Sequence, residues 1–176
     1  MTITDSALAE PHRLAEVERY RWDEPRLIAE LDGLAARSAA WTGLPISLMT
    51  LLTADHQISI GLHGAPDSIM LGGDVVSRYA LPLHWAFCAP MVTTGHSYVV
   101  ADLSLDPVHA DNPFVTELGL RSYVGVPLIS PTGQILGGHC VLGPAPHDVR
   151  VTDVLTLELG AARTVALLEA HRATLV

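Results

Sequence analysis

The sequence contains no lysine: its ten basic residues are all arginine, they face nineteen Asp and Glu, and the formal net charge is -9. A surface so weighted toward carboxylates repels phosphates, which argues against nucleic acid as a partner. Aromatic residues are scarce, with three Trp, four Tyr and two Phe among 176 residues. The two cysteines, Cys88 and Cys140, are too few for a disulfide framework and lack the C-x-x-C spacing of zinc or thioredoxin-like sites. Apolar runs are broken by His, Thr, Gly or Pro short of the roughly 18 residues that a membrane helix needs. Residues 1–24 show no basic start, apolar centre and small-residue cleavage site of a secretory signal. The chain is therefore expected in the cytoplasm, without a membrane span. No P-loop, G-x-G-x-x-G or G-x-S-x-G is present, and His56, His63, His96, His109 and His147 lack metal-ligand spacing.

What is present is a periodic pattern that changes along the chain. Residues 1–24 read as a leader with partial helical order, in which Leu14, Val17 and Tyr20 line one side. From Pro25, Leu27, Leu31, Leu34, Ser38 and Trp41 recur at helical spacing until Gly43, which predicts a helix over 25–42. Ile46 to Thr53 and Gln57 to His63 read as a hairpin, residues 64–73 as a loop, and 75–92 as a helical stretch interrupted by Pro82 and Pro90. Further strands are predicted over 97–103, 121–130 and 134–142, with a Pro-punctuated loop and short helix between 106 and 119. The strands near 46, 122 and 135 are apolar on both parities, so both faces of their sheet should be covered. Val151 to His171 predicts a long terminal helix. Its apolar arc, which adds Leu155, Leu159, Ala162 and Ala166 to Val154, Leu157, Ala161, Val165 and Leu168, is wider than one packing contact needs. A single domain over 25–172 is expected, of α+β class with a mostly antiparallel sheet.

Motifs then suggest a family. Phe87-Cys88, Val99-Val100-Ala101-Asp102, Asp106-Pro107, Asn112-Pro113, Gly125-Val126-Pro127-Leu128 and Cys140-Val141 occur in an order and spacing that resemble the GAF domain family. The likeness is to its bacterial branch with F-C, D-x-x-x-D-P, G-x-P-L and C-V motifs. That resemblance implies a six-stranded, mostly antiparallel sheet with N- and C-terminal helices on one face and a ligand pocket on the other. It also implies a sensory or regulatory role and homodimerisation through residues 25–42 and 152–171. With no output segment in the sequence, the chain is expected to be a free-standing sensor that binds a small molecule and signals to another protein. The family's N-K-x-F-D-E pattern for cyclic nucleotides is absent, and no cofactor can be named.

The candidate ligand-binding residues are Phe87, Cys88, Tyr98, Asp102, Arg121, Tyr123 and His139, with residues 104–119 as a lid. Adjacent positions on a strand face opposite sides, so only one of His139 and Cys140 can reach the pocket; His139 is preferred because a buried imidazole needs a hydrogen-bond partner. Arg121 either anchors an anionic ligand or closes an ion pair with Asp102 or Asp106. His84 and Cys88 would share a helical face, which leaves a haem or thiol redox sensor as one alternative. A ligand-free dimerisation or interaction module is another, with Leu157 and Val165 at its interface. Methionine sulfoxide reduction within this family uses more cysteines before the G-x-P-L strand than the one present here, so the chain is expected not to be an enzyme.

Overall fold

The computed structural model describes residues 3–172. Helices α1 (Ile3–Leu8), α2 (Pro11–Glu18) and α3 (Pro25–Thr42) lead into strands β1 (Ile46–Leu52) and β2 (His56–His63). A small hairpin, β3 (Ser68–Leu71) and β4 (Asp74–Ser77), is followed by β5 (Leu81–Pro82), α4 (Ala89–Thr94), β6 (Tyr98–Val100) and α5 (Pro113–Thr116). Strands β7 (Ser122–Ile129) and β8 (Ile135–Gly143) and helix α6 (Val151–Ala170) complete the chain. The main sheet has six strands in the order β5-β2-β1-β8-β7-β6, and every pairing in it is antiparallel.

Period-2 side chains divide the core between the two faces of this sheet. On the back, Leu27, Leu31 and Leu34 of α3 and Leu157, Ala161 and Leu168 of α6 pack on Met49, Leu51, Val124, Val126 and Val141. Several of these, including Leu27, Leu31, Met49 and Leu157, are fully buried, and each buried leucine contributes about 1.5–3 kcal/mol relative to an exposed one. On the front, Leu52, Tyr123, Cys140 and Leu142 meet Phe87, Cys88, Met91 and Leu103. The predicted helix over 25–42 and the strands near 46, 57, 121 and 134 are all present, as is the long terminal helix.

The N-terminal segment is packed into this core. Leu8 belongs to the front layer, whereas Val17 and Tyr20 lie in the back one. The buried Arg13 guanidinium donates to the carbonyls of Leu52 (2.8 Å), Ile135 (3.3 Å) and Leu8 (2.6 Å), closing the end of β1 beside the start of β8. Tyr20 donates to Glu169, and Arg172 reaches Glu16, which ties α2 to the end of α6. Met1 and Thr2 of the predicted leader lie outside the described residues.

Residues 64–92 depart from expectation. The segment predicted as a loop holds β3, and the segment predicted as helical holds β4, β5, a 3-10 turn at Leu83–Trp85 and only the start of α4. The physical reason is visible in the residues. Ile69-Met70-Leu71 and Val75-Val76 flank Gly72-Gly73, whose φ values of 59° and 86° make the tight turn that a two-residue hairpin needs.

Helix α6 meets the sheet at Gly160. A Cβ there would fall 2.3 Å from the Cε1 of His139, so the imidazole occupies the space a side chain would take. Glycine to alanine inside a helix ordinarily gains about 1 kcal/mol. Here Gly160→Ala is expected to lose stability instead, by roughly 1–3 kcal/mol for overpacking, read as a fall in Tm of several degrees by circular dichroism. A rise in Tm would show that the spacing of α6 over the sheet has slack.

Candidate ligand-binding site

The front face divides into a packed half and an open half. Over β7 and β6 the rings of Phe87, Tyr98, Tyr123, His109 and Phe114 interlock, with centroid separations of 4.8 Å for Phe87–His109, 5.6 Å for Phe87–Tyr123 and 5.7 Å for Tyr98–Tyr123. The Cys88 thiol lies beneath them, 3.1 Å from the Tyr123 hydroxyl and accepting from Thr50 Oγ1 at 3.3 Å. Hydrogen bonding from Cys140, Thr50 and Tyr123 pulls the Cys88 thiol down, while burial pushes Cys140 and Tyr123 up. Among the predicted site residues, the structure brings Phe87, Cys88, Tyr98 and Tyr123 together, but as a filled aromatic layer.

Asp102 and Arg121 sit at the rim of this layer as a bidentate pair, with Arg121 Nε to Oδ1 at 2.8 Å and Nη2 to Oδ2 at 2.6 Å. Asp102 also accepts from the Ser104 backbone and hydroxyl, and the guanidinium and these donors hold its carboxyl well below the usual range. The Arg121 charge is thereby matched within the protein. Asp106 instead accepts from the Tyr98 hydroxyl at 2.5 Å. Asn112 caps α5 through the Phe114 N–H and donates to the Trp85 carbonyl at 3.1 Å, which fixes the 104–119 segment against the front layer.

His139 corrects the sequence expectation. The register that pairs it with Met49 and Val126 places it on the back face, under α6, where Nδ1 meets the Leu157 carbonyl at 3.0 Å. Cys140 therefore takes the front. The expected His84–Cys88 face is absent too, because residues 83–85 form a 3-10 turn that leaves His84 exposed while Cys88 is buried.

The open half lies over β1 and β2. A cavity of about 360 Å³ is floored by Ile46 and Leu48 of β1, Gln57, Ser59 and Leu62 of β2, and Leu142 of β8. Ile69 and Val76 of the β3–β4 hairpin form one wall, and Phe87, Phe114, Leu118 and Leu120 form the other. Phe87 is the only one of the seven predicted site residues that lines it. Gln57 Oε1 is buried and has no hydrogen-bond partner among the described residues. Arg78 borders the cavity but is committed elsewhere, to Asp32 at 2.7 Å, Asp67 at 3.2 Å and the Ser59 carbonyl at 3.1 Å. Polar Gln57 and Ser59 alternating with Ile58 and Ile60 on β2, followed by a hairpin turning at Gly72-Gly73, were the signals for this cavity in the sequence. Among the described residues, no cluster of three or more His, Cys, Asp or Glu is placed to hold a metal, and no helix is long and apolar enough to cross a membrane.

A six-stranded antiparallel sheet backed by helices of both termini, with a cavity in its front layer, is the architecture that the family resemblance implied. The chain belongs to the GAF domain family, whose description matches residues 17–168. It is 32% identical over 148 residues to a cyclic di-GMP phosphodiesterase of Pseudomonas aeruginosa, a match that covers 80% of this chain and 22% of that protein. The chain thus spans about a fifth of that relative's length. Among solved structures it resembles the free methionine-R-sulfoxide reductase of Neisseria meningitidis in complex with its substrate, with TM-score 0.63, 21% identity, and coverage of 96% of this chain and 89% of that one. It also resembles the GAF domain of an Acinetobacter phosphoenolpyruvate-protein phosphotransferase, with TM-score 0.66, 16% identity, and coverage of 94% and 92%.

These likenesses overturn the expectation that the chain is not an enzyme. Its fold is shared with reductases, and its relative in sequence is a phosphodiesterase. The missing resolving cysteine argued against one thiol mechanism, and that argument does not extend to catalysis in general.

The back-face imidazole sets a pH dependence. Burial lowers the pKa of His139 from its ordinary 6.5 to about 4, partly opposed by the bond to Leu157. The unfolded chain takes up this proton first, so the stability held by neutral His139 is full above about pH 6.5 and is lost as pH falls toward 4. The loss is on the order of 3 kcal/mol. Unfolding titrations from pH 7 to pH 4.5 should show this slope, and His139→Asn should reduce it; an unchanged slope in the variant would assign the effect to other groups, such as the buried His109.

Proposed function

We propose that this GAF domain is a small-molecule sensor whose output is the packing of α3 and α6 in a homodimer, read by a signalling partner. The observation that carries the proposal is the front-layer cavity of about 360 Å³, which falls within the usual range for small-molecule sites. Its walls come from β1, β2, the hairpin and the segment before β7, so occupancy would bear on the sheet that α3 and α6 cover. Phe114 and Leu118 are the residues of the expected 104–119 lid that border the cavity. Two free, buried thiols are in keeping with a reducing, cytoplasmic setting.

The dimer is supported by an apolar stripe. Val151, Leu155 and Leu159 recur every fourth residue on α6 with 76%, 51% and 75% exposure, and Trp41 near the end of α3 is 77% exposed. Leu157, expected at the interface, is fully buried and belongs to the core instead. Native mass spectrometry is expected to give a dimer, and Leu155→Asp with Leu159→Asp is expected to give a folded monomer with Tm within a few degrees of the parent. A clean monomer for the parent would remove the helix-pair output. A bound small molecule released on denaturation would identify the ligand, while a dimer that no small molecule stabilises would favour a ligand-free interaction module.

A further inference from the structure

Resting on the reading of α6 as a dimer helix, we infer the orientation and register of that dimer: two copies of α6 pack parallel and in register, with Glu158 of each facing Arg163 of the partner subunit. The outer side of α6 carries the repeat that such a pair needs. Thr152, Leu155, Leu159, Ala162 and Ala166 follow one another at alternating steps of three and four residues, and all five are exposed. Leu157, Ala161, Thr164 and Leu168 lie on the opposite side and are buried in the domain itself. The two alanines let the helix axes approach closely. Because α6 is already ordered by its packing on the sheet, pairing does not carry the cost of forming the helix.

The charges beside this seam choose the orientation. Glu158 precedes Leu159 on one flank and Arg163 follows Ala162 on the other. Both are exposed, and neither makes an ion pair among the described residues. In a parallel pair each flank of one helix lies beside the opposite flank of the other, so Glu158 meets Arg163 of the partner subunit and the two-fold axis repeats the contact. In an antiparallel pair like flanks meet. The flank of Glu158 and Val165 then faces its own copy, as does the flank of Thr156 and Arg163, and neither charge meets its opposite. The face is therefore self-complementary in one orientation only, which makes a second copy of this chain its occupant. Exposed ion pairs add little affinity, so burial of the leucines holds the dimer and the charges set its direction.

Cross-linking of the full chain reads the orientation. Leu155→Cys, oxidised with diamide at low micromolar concentration, is expected to give a disulfide-linked dimer, with the parent chain and its buried Cys88 and Cys140 as the control. A mixture of Leu155→Cys and Ala166→Cys, left to exchange subunits, is expected to link like with like. A predominant link between the two different variants, or no link in Leu155→Cys while it remains a dimer, would overturn the parallel register and leave the dimer standing. Glu158→Arg and Arg163→Glu change exposed residues, and each is expected to raise the dimer dissociation constant about tenfold. An equimolar mixture of these two is expected to regain the parental affinity as a heterodimer. If each dimerises alone as the parent does, the Glu158–Arg163 contact is wrong. A parent chain that is monomeric by native mass spectrometry removes the dimer reading itself, and the inference falls with it.

Discussion

The pleat of β8 is the constraint on which the rest of the structure depends. Paired with β1 on one side and β7 on the other, it sends Cys140 and Leu142 to the front and His139 and Val141 to the back. A shift of its register by one residue would exchange these sets, placing an imidazole in the aromatic layer and a thiol under α6. The partners on each face are matched to the present register. Gly160 leaves room for the His139 ring, the Leu157 carbonyl meets its Nδ1, and Cys88 and Tyr123 lie in the front cluster with Cys140. Each contact is local, yet together they fix which helix covers which face.

From that constraint the two halves of the front layer acquire different tasks. Over β6 and β7 the rings pack against one another and the Asp102–Arg121 pair closes the rim, so this half is a rigid wall. Over β1 and β2 the covering element is a two-stranded hairpin separate from the main sheet, and it leaves space beneath it. Phe87 lines the cavity and also stacks on Tyr123, so it joins the open half to the packed one. The proposed sensor depends on this asymmetry: a ligand would exchange contacts with β1 and β2, and those strands lie directly under α3.

The family relationship sets the scope of the functional conclusion. Membership of the GAF family rests on a match across most of the chain, and it assigns a sensory or regulatory domain type. The same fold serves reductases, so architecture does not separate a binding module from an enzyme. What distinguishes this chain lies in particular side chains. Its front-layer thiols are buried, its rim arginine is matched by a carboxylate, and its cavity is lined largely by apolar side chains.

The sequence by itself determined the elements that bury a face by simple periodicity. Leu27, Leu31 and Leu34 declared α3, the alternation around 46–63 declared the first hairpin, and the motifs from Phe87 to Val141 declared the family. It also held the choice between His139 and Cys140 without resolving it, because alternation says that the two must part but not which way either points. The direction was decided by long-range pairing of β8 with β1 and β7. The same is true of the cavity. Gln57 and Ser59 are legible as polar positions on a strand, but their exposure to an unfilled space depends on where residues 64–78 fold back, and that placement is a property of the assembled front layer. Local pattern fixes which residues are paired in a strand or stacked in a helix; the sidedness of a central strand and the location of unfilled volume are set only when distant segments close over the sheet.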